Sequence, residues 1–145
     1  MNSINNKKFA WIFIILSFTG FLDALYLSLK KIMSSPVNCY VFEGCQKVTD
    51  SAYANFFGIP ISFFGVAFYL AVFFLSVRHL ETENNDIFKV IFYLSSFGLI
   101  FAVYLVGIQA FVLRAFCLYC LLSAATSLFL FIAAFIAGRK TGFLR

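Results

Sequence analysis

Four stretches of this chain, residues 9–29, 59–77, 87–108 and 113–137, are long and apolar enough to cross a membrane. A spanning helix needs about 20 mostly apolar residues, and each run comes close to that length or exceeds it. The apolar share of 63% lies well above the roughly 45–50% of soluble domains. At 145 residues, with no linker and no internal repeat, the chain reads as one domain. The expected fold is an all-α membrane protein, a four-transmembrane-helix bundle with an extracytoplasmic capping loop over residues 30–58.

The net charge of +5 does not point to nucleic acid, because the basic residues are scattered singly or in pairs rather than forming a stripe. They flank the spans instead. Lys7 and Lys8 precede an apolar run that is too long for the roughly 7–15 residues of a signal-peptide core, and no A-x-A site follows, so the run reads as a retained first span. Gly107, Gln109 and Arg114 mark a tight turn that makes a hairpin of the last two spans. Both termini then share one side with Lys7, Lys8, Arg78, Lys89, Arg139, Lys140 and Arg145. Lys30, Lys31, Lys47 and Arg114 lie opposite, and seven against four places the termini in the cytoplasm.

On this topology the loop of residues 30–58 lies outside. Loops of that length in compact proteins are usually functional or disordered. This one carries Val37, Tyr40, Val41, Phe42, Tyr53, Phe56 and Phe57, so it is expected to fold down as a cap with a short helix over residues 46–56. Cys39 and Cys45 lie in the loop, and Cys117 and Cys120 open the fourth span at the same face. An outer, oxidising location suits that cysteine usage.

Two structural disulfides are the plain reading. Closing loops as short as C-x5-C or C-x2-C contributes only about 2 kcal/mol, which is little for such bridges. A C-x-x-C at a helix start has another use. Its residues at i and i+3 share a face, and the helix N-terminus lowers thiol pKa, the environment of a redox-active pair. Two further readings stay open: a zinc site of all four cysteines, and unpaired core cysteines. The first has no evident second shell, and the second leaves the loop pair unexplained. A redox pair at the lipid boundary needs an acceptor able to enter among apolar spans, and a quinone can. Phe116 and Tyr119 are candidates to line its site, although aromatic stripes more often only pack.

Asp23 sits within span one, where a charge is costly unless paired, and a satisfied hydrogen bond is the expectation ahead of a proton relay. Pro60 is read as the first turn of span two. His79 is read as solvated in the inner connection, and Trp11 as an interfacial anchor.

Taken together, several features resemble the vitamin K epoxide reductase family in its bacterial disulfide-forming branch. They are Tyr26-Leu27, the loop pair Cys39 and Cys45, Ser51, Gly58-Ile59-Pro60, Gly65, Tyr69 and Cys117-Leu118-Tyr119-Cys120. The resemblance implies a relay: a thioredoxin-like periplasmic protein attacks Cys39, Cys45 attacks Cys117, and Cys120 passes electrons to ubiquinone or menaquinone. It also implies that Ser51 donates a hydrogen bond to the quinone or orients a cysteine.

The loop cysteines here are separated by five intervening residues where seven is common, and Ile61 and Ala124 stand where vertebrate members use Asn and Tyr. This weighs against vitamin K epoxide as substrate. Without a fused thioredoxin-like domain, the expected thiol partner is a separate protein. The reading is thus a thiol:quinone oxidoreductase of the inner membrane that generates disulfides and binds no metal. The rivals are an enzyme of the DsbB type, with both cysteine pairs in outer loops, and a non-enzymatic membrane subunit with structural or zinc-binding cysteines.

Overall fold

A computed structural model describes residues 3–37, 39, 40, 44–82 and 84–144. Val41 and Phe42 of the expected cap, and Arg145 of the charge pattern, lie outside the described residues. The chain forms α1 (Ser3–Ile32), α2 (Cys45–Thr49), a 3-10 turn (Ala52–Ala54), β1 (Asn55–Phe56), β2 (Ile59–Pro60), α3 (Ile61–Thr82), α4 (Asp86–Gly107) and α5 (Leu118–Lys140). Four of the helices are long and apolar enough to cross a membrane, as expected. Lys30 and Lys31 close α1, and Arg139 and Lys140 close α5, cations where the helix dipole favours them.

The long helices form one bundle in which α1 packs on α3 and α5, and α4 on α5 and α3. Small residues bring α1 and α3 close. A Cβ added at Gly20 would run into the ring of Tyr69, and one at Gly65 would lie 3.3 Å from the Ala24 Cβ. Phe13, Tyr69, Val72, Phe88, Ile91 and Leu130 are buried between the helices. Ile15, Phe74, Ile100 and Phe129 face outward, the surface that lipid covers in a membrane protein.

The elements differ from the sequence reading mainly at their ends. The first helix extends past both expected limits, to Ser3 and Ile32, and the second runs to Thr82 rather than stopping near residue 77. That extension carries His79 into the bundle, contrary to the solvated reading. The residue is 1% exposed, its ring centroid is 4.2 Å from that of Phe88, and Nδ1 donates to the Asn84 carbonyl at 2.9 Å.

The third span does not stop at residue 108 but continues through a π-helical turn, Ile108–Leu113. Arg114 then adopts a left-handed conformation, φ 48°, which ends the helix. The fourth helix therefore starts at Leu118, five residues later than expected. Pro60 lies just before α3, in a two-residue strand paired with Asn55. In place of one helix over residues 46–56, the cap has α2, the 3-10 turn and this small hairpin. Phe57 and Gly58 form the hairpin tip with φ of 50° and 81°, the pattern of a type I′ turn.

Candidate functional site

Above the bundle core a second buried cluster joins α1 to the cap. It comprises Leu27, Val37, Cys45, Val48 and Cys117, with Tyr26, Cys39, Leu113 and Cys120 packed against it. The cap is tied down at two points. Lys31 Nζ donates to the Thr49 carbonyl at 3.0 Å and lies 3.6 Å from the Asp50 carboxylate. On the other side Gly44 leaves no room for a side chain, since an added Cβ would lie 2.7 Å from the Phe116 carbonyl oxygen and 2.9 Å from its nitrogen. Backbone thus meets backbone, and Cys45, which opens α2, comes to rest beside Cys117.

The sulfurs follow from this docking. Cys39 and Cys45 are joined as a disulfide with Cα atoms 5.9 Å apart, and Cys117 and Cys120 are free thiols. The sulfurs of Cys39, Cys45 and Cys117 all lie within 4.8 Å of one another. Three sulfurs so grouped could hold a metal ion, but while Cys39 and Cys45 are bonded to each other neither offers a thiolate.

Cys117 is held from outside its own helix. Its N–H donates to Gln109 Oε1 at 3.0 Å, and the Ala115 N–H donates to the Gln109 carbonyl at 3.1 Å, so one residue of the π-helical turn fixes the connection on both sides. Cys117 is fully buried and Gln109 is 3% exposed. Cys120 packs against the same cluster as Cys117.

Cys120 also faces another space. It lines a cavity of about 400 Å³ with walls from all four spans and the cap, including Phe56, Phe64, Phe68, Phe97 and Leu105. Volumes of roughly 300–1,000 Å³ with mostly apolar walls are those of small-molecule sites. Cys117, Cys39 and Cys45 are not among the lining residues. The C-x-x-C pair therefore bridges two environments, a sulfur cluster under the cap and an apolar cavity.

The remaining candidates divide between these places. Ser51 lines the cavity, and its hydroxyl donates to the Val48 carbonyl at 2.7 Å, so its proton is committed to the backbone rather than to the cavity. Phe116 and Tyr119 are not in the lining; Phe116 is 40% exposed, and Tyr119 packs on Tyr26 with ring centroids 4.9 Å apart. Asp23 lines the cavity, but neither carboxylate oxygen has a hydrogen-bond partner among the described residues, contrary to the satisfied bond expected. Gln109 and Gly44 were not singled out for these roles. A lone amide in an apolar run was the signal for the first, whereas nothing local marks the second. The family model described as Vitamin K epoxide reductase family matches residues 11–135 of the chain.

Proposed function

For a chain that belongs to the vitamin K epoxide reductase family, and is on that ground an oxidoreductase, we propose the activity of a membrane thiol:quinone oxidoreductase that generates disulfides in a separate thioredoxin-like partner. The observation that carries this reading is the division of the inner pair, with Cys117 against the loop disulfide and Cys120 in the cavity wall. Electrons entering at one end of such an arrangement have an exit at the other.

The exchange balances in thiol chemistry. A partner thiolate attacks Cys39 and expels Cys45 as a thiolate, and Cys45 attacks the oxidised inner pair at Cys117, releasing Cys120. The partner's second thiol then frees Cys39 and leaves the partner oxidised. Cys39 attacks Cys45, restoring the loop disulfide and releasing Cys117, which leaves the inner pair as two thiols. The structure has this distribution, with the loop bonded and the inner pair reduced. Closure of the Cys117–Cys120 bond finally yields two electrons and two protons.

A bound quinone supplies an acceptor for both electrons and both protons. The cavity suits it in size, in its aromatic and aliphatic walls, and in having Cys120 in its lining. Ser51 stands at its edge and would donate to a quinone oxygen by turning its hydroxyl from the Val48 carbonyl, while Phe116 and Tyr119 would act from outside the wall by packing. We place the cysteines on the outer side of the cytoplasmic membrane and the termini in the cytoplasm, on the lysine and arginine bias and the oxidising chemistry.

The deciding experiment traps the donor. A thioredoxin-like protein lacking its second cysteine should form a lasting adduct at Cys39 that vanishes in Cys39→Ser and survives in Cys120→Ser. Cys120→Ser should also lose quinone reduction. An adduct mapped by mass spectrometry to Cys45 or Cys117, or normal quinone turnover in Cys120→Ser, would overturn the order of the relay.

A further inference from the structure

Hydroxyls within the spans mostly find hydrogen bonds inside their own helices. Ser17, Ser28, Ser76 and Thr126 each donate to the carbonyl four residues earlier. Asp23 does not fit this pattern. It is 7% exposed in the last third of α1, and both its oxygens are buried without a partner among the described residues. A buried unsatisfied polar group asks for an explanation, and a carboxyl inside a membrane span does so more than most, because its charged form is costly there.

The surroundings offer no structural one. Tyr69, across from α1, has its hydroxyl committed: it donates to the Ser123 carbonyl at 2.8 Å and lies 2.9 Å and 3.2 Å from the Ser123 and Ser127 hydroxyls. Lys31, the cation in the cavity lining, is taken by Thr49 and Asp50 of the cap. What Asp23 shares is the cavity itself, whose lining also contains Cys120. The oxygens themselves are covered, so they reach a molecule bound there by a turn of the carboxyl toward it.

We propose that Asp23 is the proton-transfer residue of this cavity, giving its proton to an acceptor oxygen beside Cys120 and regaining one from the Cys120 thiol. The proposal rests on the quinone reading above. Closing the Cys117–Cys120 bond releases two electrons and two protons, and reducing a quinone consumes both pairs. One proton passes from the carboxyl to the acceptor and is replaced from Cys120, so the carboxyl ends as it began. The other is released as Cys117 ionises toward the cap, and its equivalent reaches the second acceptor oxygen from solvent. Both electrons leave from the sulfurs as their new bond forms.

The test uses the full chain in lipid nanodiscs, with a short-chain benzoquinone and a reduced dithiol donor. Wild-type turnover tests the quinone reading by itself, and its absence would refute that reading before any variant is compared. Given turnover, Asp23→Asn should lower kcat about 100-fold or more, the usual scale of a lost general acid, with little change in KM and with the Cys39 donor adduct intact. Asp23→Glu should recover most of the loss. A second readout needs no turnover: in fully oxidised protein, adding the quinone should shift a carboxylic C=O infrared band that moves in Asp23→Glu and is missing in Asp23→Asn. Normal turnover in Asp23→Asn, or no carboxyl band responding to quinone, overturns the proposal. If Asp23→Asn does not accumulate, the wild-type and Asp23→Glu spectra decide it.

Discussion

Replacing Gln109 with Leu should slow electron transfer from the loop pair to the inner pair without touching a cysteine. The substitution keeps the bulk of the side chain and removes the acceptor that holds the Cys117 N–H at 3.0 Å. Both residues are buried, so the N–H would be left without a partner, at a cost of about 1–3 kcal/mol. If that cost falls on the position of Cys117 beside the loop sulfurs, the inner exchange slows about 5- to 150-fold, at one decade per 1.36 kcal/mol. Donor exchange at Cys39 should keep its wild-type rate, because among the described residues no hydrogen bond joins Cys39 to this connection. Single-turnover mixing with reduced donor, quenched with acid and followed by mass-tag alkylation, separates the two steps. An unchanged inner rate in folded Gln109→Leu protein would refute the idea that Gln109 positions Cys117.

Two further outcomes follow from the fold. Gly20→Ala should destabilise the bundle by about 1–3 kcal/mol, the range for overpacking, because the new Cβ meets the Tyr69 ring and that ring is held by Ser123 and Ser127; equilibrium unfolding in detergent measures it, and wild-type stability counts against the close α1–α3 contact. Membrane-impermeant thiol reagents applied to intact, reduced cells should label Cys39, the less buried of the loop pair, and protection until lysis would reverse the orientation.

The spans were readable because continuous apolar composition survives any error in phase. Their ends were not, since they depend on contacts distant in sequence. His79 stays helical and buried because Phe88 of the next helix packs against it, and no local pattern around residue 79 encodes that. The start of α5 is displaced by the left-handed Arg114 and by the bonds from residues 115 and 117 to Gln109.

The cysteine pair shows the same limit. Spacing at i and i+3 implied one shared helical face, but Cys117 is the extended residue before the helix, φ −101° and ψ 121°, so the helical offset does not apply to it. Both cysteines belong to one packed cluster, while of the two only Cys120 reaches the cavity. Aromatic content was likewise visible, but its assignment was not: Tyr119 turns to Tyr26, and the cavity walls come from phenylalanines of α3, α4 and the cap.

The tether at Gln109 has a mechanical consequence. Cys117 belongs to α5 by sequence but is anchored to the end of the preceding span. Spanning helices respond to a change in bilayer thickness by tilting. A change of tilt between α4 and α5 therefore pulls on the joint at Cys117, where the sulfurs must approach one another to react. On the proposed relay, lipid chain length would thus enter as a force on a few atoms, and acyl composition would become a setting on the rate at which bonds are exchanged.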